Sequence, residues 1–326
     1  MYTGYVEAKG TAGVSEIVLG VAASHSTLMN THWDHVVHRD RAERFRAGLD
    51  EAKAAVVAAR PDAIVVIGSN HFRGFWLDLM PAFTIGVGTC TAAGDGGTIA
   101  GDMPVDTALA QHVCESLVAA DFDVAFSARL HVDHGIAQAI QYLSPGENVP
   151  IVPVIVNVFA PPLPSLRRCH AFGGALRAAI AAFPHARRVA LIGSGGLSHQ
   201  LPWPDWRAPE GADEDFLVSA FADGRERWRE FEVRRRDIIL NGTPSINDAF
   251  DRDLLAGIAA GDIADVVRLS NAELGAVAGN GGQEIRTWIV TMAALGDTPG
   301  RTISYEPMPE WLTGMGIALF DTIHAK

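Results

Sequence analysis

Three short apolar runs in this chain end in the same way, with small residues and then a histidine. The runs span residues 17–23, 63–68 and 188–192. The histidines that follow them are His25, His71 and His199. Apolar runs of this length, rich in β-branched residues, predict buried strands. Ligands of open α/β sheets bind beyond the carboxyl ends of the strands. If the three strands are parallel neighbours, the three imidazoles therefore converge on one pocket.

Helix-like stretches alternate with these strands, which is typical of an α/β fold. Further strands are predicted at 83–87, 124–129 and 151–158, and helices at 39–60, 105–120, 136–143 and 165–183. Beyond Pro202 the pattern becomes helical, with candidates at 251–260, 271–278 and 283–295. This order predicts a central, largely parallel or mixed sheet flanked by helices, with a helical C-terminal third.

Charge and composition exclude several classes of protein. The formal net charge of −12 argues against a nucleic-acid binder, which needs a basic surface. No apolar run reaches the length of a bilayer span, so we expect no membrane partner. The polar N-terminus does not resemble a signal peptide. Three widely spaced cysteines, Cys90, Cys114 and Cys169, indicate reduced thiols and a cytoplasmic location.

A fourth histidine, His134, is flanked by Asp133, and an adjacent carboxylate can fix the tautomer of a histidine. The predicted pocket is thus rich in histidine and free of cysteine. Imidazole combined with carboxylate suits non-haem iron, manganese or zinc. The chain has no compact ligand motif such as His-Glu-x-x-His, so the residues alone do not select the carboxylate from 38 candidates.

Five segments occur in an order that is typical of a known family. They are ASHS (23–26), SNHFRGF (69–75), VDHG (132–135), GSGGLSHQ (193–200) and QEIRTW (283–288). The GSGGLSHQ stretch is specific, whereas Asp-His-Gly alone is weak. On these segments the chain resembles the class III extradiol dioxygenases, from about residue 17 to about residue 320.

The resemblance implies a ligand set and a chemistry. It implies that His25, His71 and Glu284 hold Fe(II), and that His134 and His199 act in acid–base roles. It also implies O₂ as co-substrate, no organic cofactor, and a homo-oligomer. One catalytic domain over 1–326 follows: 1–16 as an extension, 17–200 as the α/β core, and 201–326 as the mostly helical part that completes the metal site.

The implied reaction is meta cleavage of a catechol, beside its two hydroxyls, to a ring-opened semialdehyde or keto acid. We assign His199 as general base and His134 as acid, although the two roles could be reversed. A metal-dependent hydrolase using the same ligands is an alternative that oxygen consumption distinguishes. A non-catalytic binding protein of this fold is disfavoured, because both histidines and the glutamate are intact.

The substrate is predicted less directly. The chain is most similar to the branch of the family that acts on a catechol with a carboxyethyl chain, and more distantly to the protocatechuate 4,5-cleaving subunits. We therefore expect a catechol with an anionic or polar substituent. Arg73, Asp78 and Arg129 are the candidate substrate contacts. His32, His35 and His38 lie in a histidine-rich insertion and are predicted to be surface or substrate-gate residues.

Overall fold

The computed structural model describes residues 14–321, and strands from both ends of that range meet in one sheet. Most of the predicted N-terminal extension, residues 1–13, lies outside the described residues. The nine strands are, in chain order, β1 (Glu16–Ala23), β2 (Ala63–Gly68), β3 (Phe83–Ala93), β4 (Ala100–Met103), β5 (Ala125–Val132), β6 (Ile151–Val156), β7 (Arg188–Ser194), β8 (Arg301–Met308) and β9 (Thr313–Asp321).

Eleven α-helices occupy the described part of the chain. They are α1 (Thr27–Thr31), α2 (Arg39–Ala59), α3 (Thr107–Ala119), α4 (His134–Leu143), α5 (Leu166–Ala181), α6 (Ala212–Asp223), α7 (Trp228–Leu240), α8 (Asp248–Ala260), α9 (Ala264–Arg268), α10 (Asn271–Ala278) and α11 (Ile285–Ala294). None of these helices is long and apolar enough to span a bilayer.

The sheet is mixed, with a parallel centre. Its strand order is β4-β3-β6-β2-β7-β1-β9-β8, and β5 pairs in parallel with β3. The four central strands β6, β2, β7 and β1 are parallel to one another. Strand β3 pairs antiparallel with β6 on one side, and β9 pairs antiparallel with β1 on the other. The prediction of a largely parallel or mixed sheet is therefore confirmed.

Helices cover both faces of the sheet, and β2 shows how the sequence supports this. All six of its residues are buried. Val65 and Ile67 pack into a cluster that includes residues of α3, α5 and α11, whereas Ile64 and Val66 pack into a cluster that includes residues of α2 and α4. A strand buried on both faces needs an unbroken apolar run, which is what residues 63–68 provide.

The C-terminal part contains the predicted helices and, in addition, two strands that the sequence did not predict. Strand β8 contains Pro307, and β9 contains Gly314 and Gly316, residues that weaken a strand pattern. A Cβ on Gly314 would lie 2.2 Å from Asp251 Oδ2, and one on Gly316 would lie 2.7 Å from Leu197 Cδ1. Glycine is therefore needed in β9 because neighbouring segments approach its backbone closely.

Candidate metal centre

His25, His71 and His199 lie together beyond the carboxyl edge of the parallel strands. Strand β7 lies between β1 and β2, so the carboxyl ends of these three strands are neighbours. The ring centroids of His25 and His71 are 5.2 Å apart. All three histidines are buried. The predicted convergence of the imidazoles is therefore present in the structure.

Glu284 brings a carboxylate to this cluster from the far end of the chain. It ends a 3-10 helix that leads into α11, and it is 1 % exposed. Its Oε1 lies 3.2 Å from His25 Nε2 and 3.4 Å from His71 Nε2. Ser69 Oγ donates to Oε1 at 2.5 Å, and the Gly196 backbone N–H donates to Oε2 at 2.6 Å. These bonds fix the carboxylate between the two imidazoles.

The charge of Glu284 follows from its neighbours. Burial by itself would raise the pKa of this carboxyl, but His25 and His71 outweigh burial and hold the pKa well below its ordinary value. The site thus contains a buried carboxylate anion. An anion in this setting needs a cation beside it, either a protonated imidazole or a metal ion.

His25 is oriented so that one ring nitrogen faces the carboxylate. Its Nδ1 lies 2.9 Å from Ser194 Oγ, which can accept the Nδ1 proton. Its Nε2 is buried and has no hydrogen-bond partner among the described residues. The approach of that nitrogen to Glu284 Oε1 therefore lacks hydrogen-bond geometry. A buried ring nitrogen that faces a carboxylate without a hydrogen-bond partner is placed to bind a metal ion once it carries no proton.

His71 is oriented by Asp133, the residue expected beside His134. Asp133 Oδ1 lies 3.1 Å from His71 Nδ1, and Oδ2 accepts the His71 backbone N–H at 2.5 Å. A carboxylate can only accept, so Nδ1 carries a proton and Nε2 faces Glu284. Burial lowers the pKa of His71, but Asp133 and Glu284 outweigh burial and raise it to about 9.

His134 takes its carboxylate partner from a distant loop. Asp95 Oδ2 lies 2.5 Å from His134 Nδ1, and Asp95 Oδ1 accepts the His134 backbone N–H at 3.0 Å. The next residue, Gly96, has a φ of 58° and a close contact with Thr27, so a larger residue would displace this loop. Burial and His71 lower the pKa of His134, while Asp95 opposes them.

The third ligand has two geometric candidates. His25, His71 and His134 each offer a ring nitrogen, and these atoms all lie within 4.8 Å of one another. Glu284 offers a carboxylate to the same two imidazoles, with Oε1 3.2 Å from His25 Nε2 and 3.4 Å from His71 Nε2. Two imidazoles and one carboxylate form the set that non-haem Fe(II) oxygenases use, with coordination positions left open. These residues therefore fit a divalent metal, with Glu284 supplying the carboxylate of that set.

His199 lies on the other side of the carboxylate, with Nε2 4.0 Å from Glu284 Oε2. Its Nδ1 is bonded to the Leu197 carbonyl at 2.8 Å. Because a carbonyl only accepts, the Nδ1 of the neutral ring carries the proton and Nε2 keeps its lone pair. Burial lowers the pKa of His199, so the ring is neutral near pH 7. His199 can therefore accept a proton at Nε2.

A pocket opens in front of these groups, and α7 forms one of its walls. The residues of α7 that line it are Glu232, Arg235, Arg236, Ile239 and Leu240. The apolar remainder of the wall includes Leu28, Leu201, Trp203, Trp311 and Leu312. Apolar walls facing a small polar centre are typical of a small-molecule site.

The three predicted substrate contacts have different positions. Arg73 is buried, lines the pocket and is ion-paired with Glu232. Asp78 is not among the residues that line the pocket and pairs with Arg225 at the surface. Arg129 is exposed on β5, where it pairs with Thr89 of β3, and it does not line the pocket either. Proximity in sequence to His71 and His134 therefore did not bring Asp78 or Arg129 into the lining of this pocket.

The three histidines of the insertion are also separate from the metal centre. His32 and His35 are neighbours, with ring centroids 5.6 Å apart. His38 Nδ1 is paired with Glu310 at 3.1 Å. None of the three lines the pocket around His25 and His71. The predicted surface position therefore applies to His35, which is exposed. His32 and His38 are half-buried.

Two functional partners were missed from the sequence. Asp95 received no role from the sequence, because its 39-residue separation from His134 gave no local signal. Ser194 was part of the GSGGLSHQ motif but received no role. Its place as the last residue of β7, beside the end of β1, is the signal that could have linked it to His25.

A comparison with protein families matches most of this chain to known enzymes. Residues 20–316 match the model of the LigB family, described as the catalytic LigB subunit of aromatic ring-opening dioxygenase. The chain belongs to the LigB family. This LigB-family enzyme is an oxidoreductase that opens the ring of a catechol-type diol by extradiol cleavage, which agrees with the resemblance given by the sequence motifs.

Curated relatives carry the name 2,3-dihydroxyphenylpropionate/2,3-dihydroxicinnamic acid 1,2-dioxygenase. The protein from Klebsiella pneumoniae is 33% identical over 294 residues, which cover 83% of this chain and 91% of the relative. The one from Paraburkholderia phymatum is 36% identical over 279 residues, covering 81% and 86%. An Escherichia coli relative is 33% identical over 288 residues, covering 82% and 90%.

A solved structure shares the fold of this LigB-family enzyme. It is the crystal structure of the uncharacterized protein JW3007 from Escherichia coli K12, with a TM-score of 0.51 and 15% sequence identity. The match covers 93% of this chain and 99% of that chain. It supports the α/β architecture alone.

Proposed function

We propose that this LigB-family enzyme holds Fe(II) on His25, His71 and Glu284 and uses O₂ to cleave a catechol beside its diol. The observation that carries this proposal is the buried Nε2 of His25. It has no hydrogen-bond partner among the described residues, yet it lies 3.2 Å from the Glu284 carboxylate. A metal ion would use that lone pair and balance the carboxylate charge. When bound, Fe(II) would supply open positions for a chelating diol and for O₂.

His199 is proposed as the general base. A catechol binds by both oxygens most tightly after it loses protons, and near neutral pH a base must take one of them. The Nδ1–H of His199 is held by the Leu197 carbonyl, which leaves the Nε2 lone pair for that proton. Its lowered pKa keeps the ring neutral and ready to accept.

His134 is proposed as the acid. Its Nδ1 is paired with the Asp95 carboxylate, which stabilises the protonated ring once Nε2 has gained a proton. The His134 ring also lies 3.8 Å from the His71 ring, centroid to centroid, so it is next to the metal ligands. From that position it can take up the second proton of the diol at Nε2 and return this proton to the substrate as the ring opens.

The decisive experiment compares Glu284→Gln with His134→Gln after anaerobic Fe(II) loading. We expect Glu284→Gln to lose stoichiometric iron, and His134→Gln to keep iron while O₂ uptake with catechol falls. Asp78→Asn, at the surface, is the matched control and should behave as wild type. Full iron in Glu284→Gln with loss of iron in His134→Gln would replace the proposed ligand set with three histidines.

Oxygen uptake also separates ring cleavage from the metal-dependent hydrolase alternative. The family match favours the oxygenase, because the matching family is described by its ring-opening chemistry. We expect a yellow ring-opened product under air and none under nitrogen. Turnover that continues without O₂ would support the hydrolase.

Three broader properties complete the proposal. A single catalytic domain is supported by the pairing of β1 with β9, which joins both ends of the described range in one sheet. A cytoplasmic location is supported by three buried thiols that form no disulfide. A homo-oligomer is expected from the family resemblance. Light scattering with size-exclusion chromatography would measure the subunit number.

A further inference from the structure

The arginines that line the pocket differ in what they bind. Arg73 is paired with Glu232. Arg235 is buried, donates to the His71 carbonyl at 2.6 Å and stacks over Trp203 and Phe221. Arg236 is half-buried and lines the same pocket, but within residues 14–321 it has no hydrogen bond or ion pair. Its guanidinium therefore faces the cavity without a counter-ion.

The carboxylates of the pocket are already engaged. Glu232 is paired with Arg73, and Asp95 is bonded to His134. Glu284 lies between the metal-binding histidines. Arg236 also contributes, after burial, to the lowered pKa of His32, which is what an unneutralised cation does to a nearby imidazole. The positive charge of Arg236 is thus free for an anion that enters the pocket.

Helix α7 places Arg236 beside the metal centre. Its neighbour in the chain, Arg235, contacts the backbone of His71 directly. One turn further on, Ile239 and Leu240 line the pocket, and Leu28 and Leu312 line it as well. The cavity therefore offers a polar metal centre, apolar walls and a separate guanidinium.

We infer that Arg236 is the specificity-determining residue that binds the carboxylate of a catechol carrying a short acidic side chain. This inference rests on the proposed ring cleavage and extends it to the substrate class. The diol occupies the metal centre, the ring and alkyl chain contact the apolar walls, and the guanidinium holds the carboxylate in a charge-assisted pair. The net charge of −12 gives an anion no long-range attraction, so recognition must be local. Arg236 thereby replaces Arg129 in the substrate hypothesis.

The kinetic test compares 3-(2,3-dihydroxyphenyl)propionate with the neutral 3-ethylcatechol. Arg236→Gln should raise KM for the carboxylated catechol by about 10- to 100-fold, which is the affinity that a charge-assisted hydrogen bond typically contributes. The KM for 3-ethylcatechol should change far less. Arg236→Lys, which keeps the charge but loses the planar fork, should fall between wild type and Arg236→Gln.

The matched control is Arg234→Gln on the same helix. Arg234 is exposed and paired with Asp213, so this variant removes the same charge from α7 outside the pocket. It should leave both KM values as in wild type. Equal KM changes for the two substrates in Arg236→Gln, or no change in either, would overturn the assignment of Arg236.

A binding measurement keeps this test independent of turnover. 3-Phenylpropionate has the carboxylate but no diol, so its binding to the metal-free protein does not require iron. Calorimetry should show about tenfold weaker binding to Arg236→Gln than to wild type or Arg234→Gln. If wild type consumed no O₂ with either catechol, the proposed ring cleavage would fail, and the calorimetric comparison would decide the role of Arg236. Equal affinities of wild type and Arg236→Gln for 3-phenylpropionate would then reject the assignment of Arg236.

Discussion

Asp133 and His134 are neighbours in the chain, but the Asp133 carboxylate bonds to His71, with Oδ1 3.1 Å from His71 Nδ1. The His134 ring is served instead by Asp95. Each imidazole of this pair therefore has its own carboxylate at Nδ1. The two carboxylates set which nitrogen of each ring is free for chemistry.

We expect Asp133→Asn to weaken metal binding. The amide no longer offers an anion to His71 Nδ1, so the ring loses basicity and a fixed orientation. Changes to such outer partners typically cost about 10- to 100-fold in metal affinity. Anaerobic Fe(II) titration would measure this loss. Asp102→Asn, at an exposed residue of β4 that bonds to Thr91, is the control and should bind Fe(II) as wild type does. Wild-type affinity in Asp133→Asn would show that Asp133 serves only to cap α4.

We expect His199→Gln to keep its iron and lose turnover. General acid–base steps contribute roughly 10²- to 10⁴-fold to rate, and His199 is our base. The measurements are kcat with a catechol and iron content per chain. His170→Gln, at a half-exposed histidine paired with Asp297, is a matched control with unchanged kcat. Loss of iron from His199→Gln would make His199 a ligand instead.

Metal affinity should depend on pH through His71. Its pKa in the metal-free fold is about 9, above the ordinary 6.5. A raised pKa means that the protonated ring stabilises the metal-free fold fully below pH 6.5, and that this stability is lost as pH rises through 9. Coordination requires loss of that proton, so Fe(II) affinity should rise with pH in this window, by up to about tenfold per unit. A flat affinity between pH 6.5 and 9 would contradict this account.

Gly281→Ala should displace the proposed base. A Cβ at this position would lie 2.1 Å from His199 Nε2, closer than real contacts allow. A misplacement of about 1 Å can cost on the order of 10² in rate, so we expect kcat to fall by about that factor while iron stays bound. Gly174→Ala is the control, since nothing lies within 4 Å of its Cβ on α5. It should keep kcat and stabilise the fold by about 0.5–1 kcal/mol.

The strand ends could be predicted because a buried strand requires a local apolar run. His25, His71 and His199 followed from that rule. Glu284 did not, and only its resemblance to a family motif identified it, because nothing local marks a carboxylate that meets residues 215 positions away. Strands β8 and β9 were missed because Pro307 and Gly314 weaken the strand signal. Gly314 is needed because Asp251 approaches its backbone closely. Arg236 was missed for a similar reason, since a helical charge pattern does not show which arginine faces a pocket.

The contacts around the site join residues that are far apart in the sequence, and this affects when the site can form. Ser69 and Glu284 are 215 residues apart, and the bond from Gly316 to Ser24 joins residues 292 positions apart. A chain emerging from the ribosome contains the proposed metal ligands His25 and His71 long before it contains Glu284. Contacts between such distant residues also form late in folding, because closing long loops costs entropy before contacts compensate for it. The proposed site therefore forms only in a chain synthesised past Glu284, because a shorter nascent chain has two of the three proposed ligands.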